Sequence, residues 1–308
     1  MTSCDGFPLV CPVCQSALVK EDKTLRCSVG HTFDLARQGY VNLLLSHKKK
    51  SKHPGDDQGM VEARTAFLNQ AYYAPFLHAL SEEVVRPGKF GAGVENLPET
   101  ILDVGCGEGY YTLGVLDKIR ASATDDPNRC LPRVMGLDIS KEAVIAACRR
   151  GKQSSPASEL CWIVASGAAM PVRASSVDLL MCLFTRMMPA EFHRIIKPGG
   201  RLLVAGAGAK HLQEIRSLLY EEVREKAFSV ENELAPQFEK VRSERIRFPF
   251  TVTRPEDLNA LLTMTPHGWR TSPEKKARIQ NLLNMPITGD IQIETWAPKP
   301  ITCEREAG

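Results

Sequence analysis

The chain has 308 residues, of which 43% are hydrophobic and 24% charged, with a formal net charge of +3. This is the balance of an ordinary globular protein with material for one domain of roughly 200 residues plus smaller attachments. No apolar run reaches the roughly 20 residues that a membrane helix requires, and no charged-start, apolar-core leader is evident, so no membrane contact and a reducing, cytoplasmic setting are expected.

Residues 1–44 read as a zinc-binding module. Cys11, Cys14, Cys27 and His31 follow the pattern C-x2-C-x12-C-x3-H, with short strands expected around Leu18–Lys20 and Thr24–Arg26. Two such knuckles bring three thiolates and one imidazole together around Zn²⁺, and four protein ligands leave no open position for catalysis. Residues 45–98 read as a basic linker followed by a helical segment. The run His47-Lys48-Lys49-Lys50-Ser51-Lys52-His53 and the following Pro54-Gly55-Asp56-Asp57 suit an exposed flap, and a phosphate backbone attracts such cations. Apolar residues from Met60 to Val85 recur at helical spacing, with Pro75 starting a second helix.

From residue 99 to 308, strands and helices alternate. Strands are expected at Ile101–Val104, Val134–Asp138, Cys161–Ala165, Val177–Leu183 and Arg201–Ala205, with helices at 110–120, 141–150 and 190–196 between them. That order predicts a parallel, doubly wound α/β sheet. A helix over about 211–226, an antiparallel pair around 243–250 and 291–296, and a helix over 255–264 complete the reading. The other cysteines, including Cys130, Cys148, Cys161 and Cys182, read as small buried hydrophobes.

The chemical signature of the large domain is Asp103-Val104-Gly105-Cys106-Gly107-Glu108-Gly109. Gly105, Gly107 and Gly109 allow a tight turn and close approach of the backbone to a ligand. The spacing G-x-G-x-G differs from the usual dinucleotide fingerprint, and no phosphate-binding lysine follows. These residues resemble the Rossmann-like fold of class I S-adenosylmethionine-dependent methyltransferases, in which Asp103 and the glycines would lie under the methionine part of the cofactor. Asp138, ending the second strand, would accept both ribose hydroxyls.

Longer strings, Cys11-Pro12-Val13-Cys14, Gly30 to Leu44, Pro54-Gly55-Asp56, Ala63 to Leu68 and Gly105 to Thr112, resemble the RlmA family of large-subunit ribosomal RNA guanine-N1 methyltransferases. Met264-Thr265-Pro266 and Trp269-Arg270 extend the likeness. The resemblance implies a methyltransferase fold with a zinc-binding RNA-recognition module, S-adenosylmethionine and Zn²⁺ as cofactors, and methylation of guanine N1 in a 23S rRNA hairpin. It is compatible with a homodimer. Tyr73, Gly107, Glu108 and His211 would contact the cofactor. One departure stands out: Phe184-Thr185-Arg186-Met187-Met188 replaces the aromatic-Ala-Pro-Cys stretch of the family near the target base.

The sequence names no general base for the N1 proton. Phe184, Tyr72 and Trp269 are candidates to stack on a flipped base, and Lys48, Lys49, Lys50, Lys52 and Arg64 are candidates for phosphate contacts. Two competing readings are a small-molecule methyltransferase and a non-catalytic, zinc-containing RNA-binding protein. Replacing Cys11 or His31 is expected to unfold the N-terminal module while sparing cofactor binding.

Overall fold

The computed structural model describes residues 4, 6–46, 54–86, 97–123, 131–154, 159–223, 228–265, 274 and 278–300. The basic run 47–53, Trp269 with its neighbours, and Cys130 lie outside the described residues.

A three-stranded antiparallel sheet, β1 (Leu18–Glu21), β2 (Thr24–Cys27) and β3 (Thr32–Asp34), forms the N-terminal ribbon. The main sheet has eight strands. They are β4 (Tyr40–Asn42), β5 (Thr100–Val104), β6 (Arg133–Asp138), β7 (Leu160–Val164), β8 (Val177–Leu183), β9 (Ile196–Ala207), β10 (Phe238–Thr251) and β11 (Pro286–Pro298). Their spatial order is β10-β11-β9-β8-β5-β6-β7-β4, with β4 to β9 parallel and β11 antiparallel to both β10 and β9. The helices are α1 (Gln58–Asn69), α2 (Ala74–Val85), α3 (Tyr110–Ala123), α4 (Lys141–Ser154), α5 (Pro189–Ile195), α6 (Gln213–Leu219), α7 (Glu231–Leu234) and α8 (Pro255–Thr263).

Period-two alternation splits the core into two layers. Along β7, Leu160, Trp162 and Val164 join one layer with Phe67, Phe76 and Leu116, whereas Cys161 and Ile163 join the other. All five are buried because both faces of the sheet are covered, and this is why the strand reads as a continuous apolar run. On the second face the ribbon supplies Leu9, Cys11, Leu18, Leu25 and Cys27, which share one core with Leu102, Met135 and Ile163. The ribbon is also stitched on by backbone hydrogen bonds, Val10 N to Pro171 O at 3.0 Å and Arg173 N to Pro8 O at 2.9 Å.

Three local features differ from the sequence reading. Residues 54–57 are anchored rather than forming a free flap, although Gly55 and Asp57 stay exposed as expected. Ser140 Oγ donates to the Asp56 carbonyl at 2.7 Å, and Asp57 caps α1 by accepting from Met60 N at 2.9 Å. The helix expected over 211–226 is the shorter α6, which ends where Tyr220 turns extended. The strand expected at Arg201–Ala205 starts earlier, so Lys197-Pro198-Gly199-Gly200, between the expected helix and strand, lies within β9, with Gly199 at a positive φ and an irregular register against Val177–Leu179. Among the described residues, no helix is long and apolar enough to cross a membrane.

Candidate functional site

Four side chains converge in the ribbon. Each knuckle ends on a left-handed residue, Gln15 (φ 62) or Gly30 (φ 95), which turns the backbone back toward its ligands. The donor atoms of Cys11, Cys14, Cys27 and His31 all lie within 4.8 Å of one another. Cys14 Sγ is 3.6 Å from Cys27 Sγ, and His31 Nδ1 is 3.6 Å from Cys11 Sγ and 3.4 Å from Cys27 Sγ. Tetrahedral zinc with ordinary bond lengths requires ligand-to-ligand edges of roughly 3.5–3.8 Å. The set therefore fits Zn²⁺, closed on all four sides. Burial raises the Cys11 thiol, whereas Cys27, although burial opposes it, is drawn down to about 6 by the N–H groups of His31 and Val29 and its side-chain neighbours. A thiolate-stabilising environment is what a zinc ligand needs.

A second centre lies at the carboxyl ends of the parallel strands, where the strand order reverses between β5 and β8 and where such sheets bind ligands. The turn after β5 is tied to β6 by Gly105 N and Cys106 N, which both donate to Leu137 O at 2.7 and 3.1 Å. Gly105 (φ 72) has no room for a side chain, since a Cβ there would meet Thr185 at 2.8 Å. Gly107 (φ 56) faces the cleft, its N–H donating to Asp138 Oδ2 at 3.0 Å. Ser140 N donates to Asp138 Oδ1 at 2.8 Å. Each oxygen keeps a lone pair, so the carboxylate can still receive two hydroxyls. A cavity of about 470 Å³ is bordered by Gly105, Gly107, Glu108, Asp138, Ile139 and Ser166, among others.

A larger cavity, about 830 Å³, opens beside it and is bordered by Met60, Leu68, Tyr73, Ala205, His211 and Phe228. Asp56, Arg64, Tyr111, Phe184 and Thr185 border both, so the two chambers meet at a throat. Arg64 pairs with Asp56 and also feels the charges of Glu108 and Asp138. Burial pushes the carboxyls of Asp138 and Glu108 up, while Arg64 and Arg150 pull Glu108 back. Arg150 Nη2 stands 3.9 Å from Glu108 Oε1.

Tyr73 and His211 form a pair in the wall of the larger cavity, with Tyr73 Oη 3.2 Å from His211 Nε2. The Asp290 backbone N–H donates to His211 Nδ1 at 3.2 Å, so the neutral ring carries its hydrogen on Nε2. The Asp290 carboxylate is fully buried, accepts from Arg245 and from Lys210 N, and so fixes the turn that presents His211. Those charge-assisted bonds hold Asp290 below the usual carboxylate range despite its burial.

The expected cofactor residues are thus brought together in two groups. Gly105, Gly107, Glu108 and Asp138 border the smaller cavity, and Tyr73 and His211 border the larger one. Asp103 lies beneath the turn, with Oδ2 accepting from Thr112 Oγ1 at 2.6 Å. Gly109 backs onto Trp162, which a Cβ would meet at 2.8 Å. Two assignments change. Arg64 points into the cleft and pairs with Asp56, so it is not placed for surface phosphates. Tyr72 is held in a cluster with Phe67 and Phe250, its hydroxyl donating to Asp257 at 2.9 Å, so its face is not free to stack on a base. Phe184, 44% exposed at the throat and held at φ 54, remains available. Sequence reasoning gave no role to Asp56 or Asp290. Asp56 stood in a recognised string, but only the packing of residues 54–57 on Ile139 and Ser140, between β6 and α4, reveals its position.

Two family descriptions match this chain: "RlmA, N-terminal", a zinc ribbon, over residues 9–52, and "Methyltransferase domain" over residues 101–200. A 23S rRNA (guanine(748)-N(1))-methyltransferase of Streptomyces fradiae is 35% identical over 272 residues, covering 88% of this chain and 89% of that protein. The chain belongs to the RlmA family of 23S rRNA (guanine-N1)-methyltransferases. A relative in Micromonospora griseorubida is 31% identical over 306 residues, covering 95% of this chain and 97% of that protein. Within the RlmA family frame, the residues present fit both expected cofactors. The ribbon matches zinc geometry. The Cβ-free turn fits S-adenosylmethionine, as do the paired acceptors of Asp138 and the buried Glu108 Oε1, which makes no hydrogen bond among the described residues.

Proposed function

We propose that this chain transfers a methyl group from S-adenosylmethionine to N1 of a guanine in a hairpin of 23S ribosomal RNA, working in the cytoplasm. The observation that carries this reading is the meeting of two chambers at one throat. One chamber combines an apolar wall with the polar groups of Asp138, Glu108 and the glycine turn, as a nucleoside site does, and the other is wide enough for a second reactant, with Phe184 exposed between them. S-adenosylmethionine supplies an activated methyl group on a sulfonium, so the protein's task is alignment and the handling of one proton.

On this reading Asp138 holds the ribose, and Glu108 and the N–H groups of the turn border the nucleoside. The Tyr73 hydroxyl, which accepts from His211 Nε2 and is oriented by it, acts as a donor that suits the methionine carboxylate. Phe184 offers a ring to an unstacked base, whose extrusion costs a few kcal/mol. The ribbon would grip the RNA. Its exposed Lys23, Arg26 and Arg37 are cations that a phosphate backbone attracts. The division into a recognition module over 1–44, a connecting helical segment and a catalytic domain from 99 belongs to the same proposal.

The test is methylation of protein-free 23S rRNA by the purified, zinc-loaded chain, followed by primer extension. Methylation at N1 blocks Watson–Crick pairing, so a new stop beside a single guanine is expected. Absence of transfer with S-adenosylmethionine bound by calorimetry would overturn the reading.

A further inference from the structure

Guanine carries a hydrogen on N1 at neutral pH, and N1 becomes a nucleophile only as that hydrogen leaves, so the throat must offer a proton acceptor. Among the described residues bordering the larger cavity, the titratable side chains are Asp56, Arg64, Tyr73, Tyr111 and His211. Arg64 is a cation. Burial keeps Tyr73 and Tyr111 neutral, as donors. His211 accepts the Asp290 N–H at Nδ1 and carries its own hydrogen on Nε2, directed at Tyr73 Oη. A ring fixed in that tautomer gives a hydrogen bond at Nε2 and does not take a proton there.

Asp56 is what remains, and its setting suits the task. It borders both chambers. Its backbone is pinned by Ser140 Oγ on one side, while the preceding Gly55 (φ 83) is pressed so closely on Ile139 and Ser140 that a Cβ would meet them at 2.9 Å. Asp57, the next residue, caps α1, so the carboxylate is delivered by a fixed segment of backbone. Its Oδ2 is oriented by Arg64 Nη1, and Oδ1 makes no hydrogen bond among the described residues. One oxygen is held and the other is open to a ligand.

We propose that Asp56 accepts the N1 proton of the target guanine as the methyl group is transferred. This rests on the guanine-N1 reading given above. In the step, the N1–H bond breaks and its proton passes to the Asp56 carboxylate. The electron pair left on N1 forms the bond to the methyl carbon. The bond from that carbon to the sulfonium of S-adenosylmethionine breaks, its pair staying on sulfur. One positive and one negative charge are consumed together, and the carboxyl group returns its proton to water.

Asp56→Asn keeps the shape of the side chain and removes the acceptor. Saturated methyl transfer at pH 7 should fall about a hundredfold or more. Calorimetric affinity for S-adenosylmethionine should change by less than about threefold, and Asp56→Glu should restore part of the rate. The pH profile is the reading that a structural role would not move. Asp56 faces Arg64 from α1, and Glu108 and Asp138 act on the same guanidinium from the turn and from β6. With Asp56 present, the rate should be level near neutrality. Without it, transfer should depend on guanine already ionised and rise about tenfold per pH unit.

An Asp56→Asn protein with the wild-type rate and a level profile overturns the assignment and leaves the function standing. Loss of cofactor binding in parallel with activity, with an unchanged profile, assigns Asp56 to the frame of the throat and also overturns it. A wild-type chain that moves no methyl group to N1 overturns the function itself, and this proposal with it.

Discussion

Asp103 shows how a residue can belong to the site without bordering it. It is the last residue but one of β5, beneath the glycine turn, is buried, and leaves Oδ1 without a hydrogen-bond partner among the described residues. Burial, only partly opposed by the Thr112 hydroxyl, pushes its carboxyl up to about 7. An unfolded aspartate titrates near about 4, so between about pH 4 and 7 the native state holds a proton that the unfolded chain has lost. Stability contributed by Asp103 is therefore complete below about pH 4 and is lost as pH rises to 7, by an amount on the order of a few kcal/mol. Asp103→Asn removes that dependence. Denaturant melts of the cofactor-free protein should show the stability difference, variant minus wild type, growing from pH 5 to 7.5; a constant difference would mean Asp103 titrates normally. The acid's presence was legible in the D-x-G-x-G-x-G string. Its burial was not, nor was the inward aim of Arg64 or the capture of Tyr72 by Asp257. Each of these depends on partners distant in sequence, Asp257 lying 185 residues from Tyr72.

At the scale of elements, the strands were legible because β5 to β9 are apolar runs bounded by glycines, acids and turn residues. The pairing of β4 with β7 was not. Tyr40–Asn42 is three residues long and meets Trp162 and its neighbours across about 120 positions of sequence, with no local pattern to announce it. Trp162 explains much of what surrounds it. Its indole fills the space left by three glycines. A Cβ would meet it at 2.2 Å on Gly136, 2.8 Å on Gly109 and 3.2 Å on Gly151. Gly109 therefore serves the closeness of turn, helix and strand. Gly136 sits inside β6 with no side chain because the neighbouring strand supplies one. Gly136→Ala should overpack this layer and cost about 1–3 kcal/mol or more, read as a lower urea midpoint at unchanged slope. Combining it with Trp162→Leu should recover part of the loss. Additive losses in the double variant would separate the two residues.

The whole molecule sets the ribbon and the sheet in one core. The sequence reading treated the zinc module as separable, its loss sparing cofactor binding, because spacing reveals ligands and not what lies behind them. The packing gives a different expectation. Cys11 and Cys27 are buried in the same cluster as Leu102, Met135 and Ile163, strands β5 to β7 lie directly behind the cofactor turn, and β4 extends the same sheet. Opening the ribbon far enough to release Zn²⁺ should then disturb the strands that hold the cleft. A ligand that binds only the intact cleft suppresses such opening by the factor 1 + [L]/Kd, about a hundredfold at a hundred times Kd. Zinc transfer to a chromogenic chelator should accordingly slow by up to that factor when S-adenosylmethionine is present. His31 argues the other way, because it is only half-buried at the outer side of the ligand set and could swing out alone. The two routes are distinguished by the ligand dependence of the rate. A rate that falls in proportion to bound S-adenosylmethionine means that metal and methyl donor stabilise one cooperative unit. A rate indifferent to it means that the ribbon opens locally, and that Cys11 or His31 can be replaced without cost to the cleft.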